Sequence, residues 1–591
     1  MKALYRFRLP SRLALLILAA AGTYACKDFL VANPQGTLNE ETLANEAGVE
    51  GNLIAAYRML DHAGWGAWGS AASNWVWGSA TSDDAYKGSE ASDQPPITDL
   101  EMYIWTTGGA EDYLNDRWIH SYEGINRANA TINLLDKVVE ADPSAISPAN
   151  QNGIRGEALF LRAHYHFEAW RIWGNIPYYT EADTTFRKSN VGVDVIGSVL
   201  ADLNQAITLL PATPRNEEVG RATSWTAKAY KGKVQVYNRD YAGALTTLRE
   251  VRTSGPYALE VNSSRVWTGF SAYENGPETI LAYQAHHGEP GGNNANYGER
   301  LNFPHSGSPF GCCGFHQPSQ NLVNFFAVDA NGLPLALTDA TWNARNTELD
   351  AAASAGMRVD PRLDWTVGRD GVPYKDWGAH EAGWIRAPAY GGPYSPKKAI
   401  YESASGAVSN VGWVATQLSS MNIHIFRYAD MLLHLAEAEV EAGSLENART
   451  IVNQIRTRAG VAVQGLGTST SNIAVPINDA SITWADYEIG LYSAAGWTQS
   501  YARTAVRYER RLELAMEGQR FFDLKRWEIA ADVLNAFITA ERVRRPYLVA
   551  AATFEARHML FPIPPVQIEL SRITDPVTGA QTDVLVQNPG W

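Results

Sequence analysis

The chain has 591 residues, 45% of them hydrophobic, and a formal charge of −14. That is enough apolar content for a large core, and the acidic balance excludes nucleic acid as a partner, because phosphate binding needs clustered Lys and Arg. The 19 Trp and 27 Tyr supply many flat amphipathic rings, which serve either as core volume or as contact faces for a ligand.

Arg6, Arg8 and Arg12 precede an apolar run over residues 13–25. The run is shorter than the ~20 residues of a membrane-spanning helix but has the layout of a secretory signal. It ends Thr-Tyr-Ala-Cys, so residues 1–25 read as a signal peptide and Cys26 as a lipidation site that becomes the mature N-terminus. An ordinary signal peptide with an incidental cysteine is the alternative, since Thr23 and Tyr24 depart from the usual residues. Cleavage removes four cations and no acids and takes the charge to −18. Residues 26–38 have no helical period and read as a lipid-anchored tether; several acyl chains anchor stably where one is marginal.

Residues 39–253 read as a helical lobe. Leu43, Val49, Leu53, Ile54, Tyr57 and Leu60 fit a first helix over 39–62, with Asn39 as its start. Residues 62–88 then set Trp65, Trp68, Trp75 and Trp77 among Gly, Ser and Ala. Such a loop reads two ways: as a platform for the C–H faces of sugars, or as a loop pinned to helices by its rings. Helical spacing returns over 111–140, over 156–180 until Gly174 and Pro177, and over 193–211. Residues 220–251 form a helix pair with an Asn-Arg-Asp turn, similar to a tetratricopeptide unit of about 34 residues.

Residues 254–422 are rich in Gly, Pro and aromatics without sustained period, and read as a loop-rich ligand-binding region laid on a helical frame. Cys312 and Cys313 are adjacent in Gly-Cys-Cys-Gly. Across a trans peptide their Cα atoms would be about 3.8 Å apart, short for a bridge, so a strained vicinal disulfide and free thiols both stand. No zinc-like spacing, H-E-x-x-H, G-x-S-x-G or dinucleotide loop occurs, so no metal or cofactor is expected. Asp83 and Asp84 are adjacent, whereas glycosidase carboxylates flank a bond at about 5–10 Å. Enzyme chemistry is unsupported.

Residues 423–591 form a second helical region. A further pair over 426–460 has Gly443 as a stop and Ser444 as the next start. The densest charges follow in VRYERRLELAMEGQRFFDLKRW, residues 506–527, where Glu513, Glu517, Arg520, Asp523 and Arg526 recur at steps of three or four. Apolar residues on nearly every side predict a single helix surrounded by protein, and Gly518 predicts close approach by another backbone. Structural ion pairing is the expectation for these charges; a catalytic role is the other reading.

The stretch carrying Glu509, Arg510, Arg511, Glu513, Leu514, Glu517, Gly518, Arg520, Asp523, Leu524, Arg526 and Trp527 resembles the C-terminal signature of the SusD/RagB family of outer-membrane lipoproteins. Residues 157–177, from Glu157 through Arg162 to Trp173, Gly174 and Pro177, resemble a second family signature, and Arg427, Tyr428, Ala429 and Asp430 begin a third. The likeness runs from Cys26 to Trp591. It implies a mostly α, tetratricopeptide-like superhelix with a loop-rich insertion. It also implies a cell-surface lipoprotein that binds oligosaccharide and hands it to a SusC-like TonB-dependent outer-membrane transporter. Trp65, Trp75, Tyr86 and Trp105, with Trp377 and Trp384, are the candidate ring contacts; the family motifs do not fix them. A peptide-binding RagB-like protein and an α-rich surface glycosidase or lyase are the alternatives.

Overall fold

A computed structural model of the chain describes residues 43–61, 67–287, 294–305, 307–407, 417–467 and 473–591. It is mostly α, and its longer helices pack each on the next. Helix α1 (Glu46–Tyr57) starts at an Asn45 cap, whose side chain accepts from Gly48 N at 3.0 Å; Asn39 lies outside the described residues. It lies against α2 (Gly108–Ala141), which packs on α3 (Pro148–Trp173), then α4 (Val195–Leu209), α5 (Ser224–Tyr237) and α6 (Tyr241–Ser254). The stack continues from α6 to α7 (Tyr428–Ala442), which also contacts α8 (Leu445–Ala459) and α9 (Gln499–Leu514). Three short helices complete the part of the frame that matters here: α10 (Arg520–Arg526), α11 (Ala530–Arg544) and α12 (Pro565–Ser571).

Local chemistry accounts for the boundaries. Ser147 caps α3 with Pro148 in its first turn, and Gly174, at φ 67°, ends it in a conformation that favours glycine. A Thr223–Thr226 capping box opens α5, and Asp240 caps α6 through Gly243 N at 2.9 Å, so the Asn-Arg-Asp turn carries its own start signal. At Gly232 a Cβ would sit 2.1 Å from Leu248 Cδ2, which is why the two helices of this pair close so tightly.

Residues 506–527 do not form the single helix expected. The chain leaves α9 at Leu514 and re-enters helix at Arg520, with Met516 and Gly518 at φ 63° and 66°. At Gly518 a Cβ would lie 1.9 Å from Ser73 O, so the loop after α1 presses backbone to backbone against the break. Charges on both helices are buried in a connected lattice. Arg427 donates to Glu278, Glu513 and Glu517 at 2.7–2.8 Å; Arg458 joins Glu278 to Glu513, and Arg362 joins Asp360, Glu509 and Glu513. Arg526 clasps Glu437 and Asp523, while Arg520 and Arg511 hold Asp83.

Two strand pairs tie the middle region to this frame. Strand β1 (Ala85–Gly88) pairs antiparallel with β3 (Phe315–Pro318), with Tyr86 opposite Gln317. Strand β2 (Thr279–Tyr283) pairs antiparallel with β4 (Ile423–Arg427), with Thr279 opposite Arg427. The long excursion between β2 and β4 therefore leaves and rejoins the helical frame at neighbouring strands, and its inner end is pinned to the first loop through β1 and β3. A last hairpin, β5 (Ile573–Thr574) with β6 (Gln581–Thr582), follows α12. Among the described residues no helix is long and apolar enough to cross a membrane. Cys26 and the tether fall outside the described residues.

Candidate functional site

Most of the rings picked from the sequence lie beneath a surface rather than on it. Trp75, Tyr86 and Trp105 are 0% exposed and Trp384 is 4%. Trp75 donates its indole N–H to Gly298 O at 3.1 Å, with its ring beside His316. Tyr86 gives its hydroxyl proton to Glu541, accepts from Gln320 N at 3.1 Å and lies under Arg545. Trp105 stacks on Phe561 at 3.8 Å between ring centroids. Trp384 packs edge-on against Tyr374. With both faces covered, these four rings have no face to offer a sugar, which corrects their assignment as contacts. The cause is general: a Gly/Ser-rich loop has no core of its own, so its large rings are spent pinning it to the helices. Trp68 and Trp77 are buried in the same way. Trp377 alone among the described picks is half-exposed, its indole N–H donated to Tyr401 O at 2.9 Å. Trp65 lies outside the described residues.

What these buried rings support is a junction of the two loop regions. Ser89 N donates to Gly314 O at 2.5 Å beyond the β1–β3 pair. Arg386, on the far loop, reaches across to Asp93 at 2.7 Å, Glu90 at 2.8 Å and Ser89 Oγ at 3.0 Å. Lys87 donates to the carbonyls of Glu90 and Asp93 and sits 4.9 Å from the Tyr390 ring centre. Burial pushes the Lys87 ammonium down to about 8, against the pull of Glu101, Asp93 and Glu90. Tyr390 stacks on Tyr547 at 4.3 Å, and its hydroxyl meets Thr98 Oγ1 at 2.8 Å. His305 is held at this rim by its N–H to Trp384 O at 2.9 Å; burial and then the Arg386 charge keep its ring below the usual imidazole value. The junction thus presents half-buried Tyr390 and His305 beside an Arg386–Glu90–Asp93 clasp, while Trp377 packs against Phe310 and Tyr401. Sequence reasoning passed over Tyr390 and Arg386, because nothing in a Gly/Pro-rich loop marks which ring or guanidinium faces out.

Cys312 and Cys313 are joined by a disulfide beside this rim. Their peptide is cis, with Cα atoms 3.1 Å apart, instead of the trans arrangement assumed from the sequence. Gln417 donates to Cys312 O at 2.6 Å.

Asp83 and Asp84 are buried behind the junction. Burial alone would raise the Asp83 carboxyl, but Arg511 and Arg520 outweigh it and hold it at about 2. Arg511 also binds Asp84 at 3.0 Å. These acids are structural counter-ions, not a pair facing a cleft. No cluster of His, Cys, Asp or Glu able to hold a metal occurs among the described residues.

A separate concavity of about 580 Å³ opens on the helical lobe, between α2, the 177–186 loop and α12. Its lining includes Tyr122, Asn126, Asn133, Tyr179, Phe186 and Gln567.

A family model described as "SusD family" matches residues 277–591, and one described as "Starch-binding associating with outer membrane" matches residues 54–236. SusD-like protein P38 of Formosa agariphila is 26% identical over 90% of this chain and 94% of its own length. A SusD-like protein of Bacteroides fragilis superposes with a TM-score of 0.67 at 20% identity, over 94% of this chain and 99% of that one. Surface glycan-binding protein A of Bacteroides thetaiotaomicron, solved in complex with laminarihexaose, superposes with a TM-score of 0.61 at 18% identity, covering 92% and 99%.

Proposed function

Because this chain belongs to the SusD family, whose model matches more than half of it, we propose that it is a glycan-binding protein of the cell surface, with the junction of its two loop regions as the binding face. One observation carries this reading. Loops more than 200 residues apart in sequence are brought to one rim by β1, β3 and the Arg386 clasp, leaving Tyr390 and His305 half-buried there. Flat rings beside fixed donors and acceptors suit a saccharide, whose apolar C–H faces stack while its hydroxyls pair at the edges. The laminarihexaose complex of one structural neighbour and the starch-binding description of one matching family model point to the same class of ligand.

Binding rather than turnover fits the acids. Asp83 and Asp84 are paired with Arg511 and Arg520, and Glu90 and Asp93 with Arg386, so these four acids serve as counter-ions. The sequence features at residues 1–38 support anchoring through Cys26 at the outer membrane. From there the chain would pass its ligand to a SusC-like TonB-dependent transporter.

The test is a glycan array spanning laminarin and starch oligosaccharides, run beside a peptide library, with product analysis of each bound glycan. The reading expects saturable glycan binding with the sugar recovered intact. Selective peptide binding, or release of shorter products by pure protein, would overturn it. For the transporter, co-purification from native membranes in mild detergent is the check, and a solitary protein would count against the partner.

A further inference from the structure

We propose that the 580 Å³ concavity on the helical lobe is a second binding site for a neutral oligosaccharide, separate from the loop junction; this rests on the chain being a glycan-binding protein. A volume of this size falls within the ~300–1,000 Å³ of ordinary ligand sites. Three features of its walls specify the chemistry.

One wall is α2. Asn126 and Asn133 are seven residues apart on it, two helical turns and about 10 Å along the axis, so both face the same side. Both are exposed, and neither side-chain amide has a partner among the described residues. Asn129 between them is different: it is buried and its amide oxygen accepts from Arg162 at 2.9 Å. The wall therefore offers two free carboxamides, each a donor and an acceptor. Their spacing reaches across consecutive sugar rings rather than one.

The opposite wall is aromatic. Tyr179 donates its hydroxyl proton to Phe186 O at 2.5 Å, which closes the 177–186 loop on itself and holds both rings at the mouth. Phe186 is 71% exposed, with the Arg187 guanidinium 4.8 Å from its ring centre. At the base, Tyr122 meets Tyr179 edge-on at 5.7 Å and has its own hydroxyl engaged by Pro177 O. An apolar C–H face fits against such rings.

The third feature is charge. Glu181 and Asp183 are the acids of the lining, and each is matched: Glu181 by Arg162, and Asp183 by Lys188 at 2.8 Å. Among the described residues no Lys or Arg lines the interior; at the rim Lys188 is paired with Asp183 and Arg187 lies over the Phe186 ring at 4.8 Å, an arrangement that favours a neutral ligand over a sulfate, phosphate or uronate. The lining is helix and loop with no strand edge on which an extended peptide would continue a ladder. A neutral polyhydroxyl ligand with apolar faces is what remains.

Hydrogen–deuterium exchange of the full chain, with and without laminarihexaose or maltohexaose at millimolar concentration, reads both sites at once. The backbone amides of Thr184, Thr185 and Phe186 have no hydrogen bond among the described residues and exchange fast in the free chain. The proposal expects at least one of the two sugars to slow exchange across 177–188 several-fold, independently of protection at 376–392. In Phe186→Ala and Asn133→Leu, both exposed and tolerant positions, that slowing falls at least tenfold in apparent affinity while protection at 376–392 is unchanged. Protection confined to 376–392 overturns the second site and leaves the proposed function standing. Protection confined to 177–188 keeps this site and overturns the loop junction. Absence of protection at both with both sugars overturns both; protection of 177–188 by hexa-alanine in place of the glycans overturns the second site.

Discussion

Replacing Arg427 with Met isolates the buried charge lattice from the ligand face. Its guanidinium donates to Glu278 Oε1 at 2.7 Å, Glu513 Oε1 at 2.8 Å, both Glu517 oxygens at 2.8 Å and Glu513 O at 2.9 Å, all away from water. Methionine fills similar volume but leaves those acceptors a donor short. Removing one partner of a buried ion pair costs about 3–5 kcal/mol. Arg458, Arg362 and Lys398 still face the same carboxylates, which places the expected loss near the lower end, about 3 kcal/mol. The pH dependence has a defined sign. Burial alone would raise Glu513 and Glu517, but the surrounding cations hold both below the usual carboxylate range. Their stabilisation is complete above the unfolded value of about 4.3 and is lost as pH falls through the depressed native values. Without Arg427 the native values rise toward the unfolded one, so these carboxylates lose less stability to acid, and the difference between the two proteins shrinks as pH falls below about 4.3. Urea unfolding of both proteins at about pH 7 and about pH 3 measures the effect. A change under about 1 kcal/mol would refute the reading of this lattice as desolvated and mutually dependent, because exposed pairs contribute about that little. Glycan affinity per folded molecule is expected to stay unchanged, and its loss in a protein of normal stability would move the binding face to the lattice.

Gly518→Ala, which adds a Cβ 1.9 Å from Ser73 O at a φ of 66°, is expected to lower stability by about 3 kcal/mol in the same assay. Trp105→Ala empties a fully buried stack against Phe561 and should cost about 3–5 kcal/mol without changing glycan affinity, as thermal unfolding beside titration calorimetry will show. Tyr390→Ala should weaken glycan binding at the junction roughly tenfold, on the order of 1 kcal/mol of ring contact, with little change in melting temperature. Alkylation and intact mass should find Cys312 and Cys313 unmodified without reductant and both modified after it.

The frame was legible in the sequence because helix signals are local. Ser444, Asp240 and Gly174 each stop or start a helix by chemistry within a few residues, and the structure uses each of them at that place. The break at residues 515–519 was not legible. Helical charge spacing continues straight through it, and the cause, the Ser73 carbonyl pressing on Gly518, lies more than 400 residues away. The same limit decided the candidate rings. Composition marked the 62–88 loop as aromatic, but whether Trp75 faces water or Gly298 O depends on a partner far along the chain. Tyr390 and Arg386 went unnoticed for the complementary reason: their placement follows from distant neighbours, half-buried Tyr547 and buried Ser89, that local pattern does not identify. The helical-lobe cleft was hidden because Asn126 and Asn133 read as ordinary solvated positions until the 177–186 loop is set opposite them.

A crystal structure of the chain soaked with the oligosaccharide selected on the array tests the central claim most directly. Ordered sugar rings are expected at the loop junction, against Tyr390 and within hydrogen-bond reach of His305 or the Arg386 clasp. A bound glycan that leaves that junction empty would contradict it.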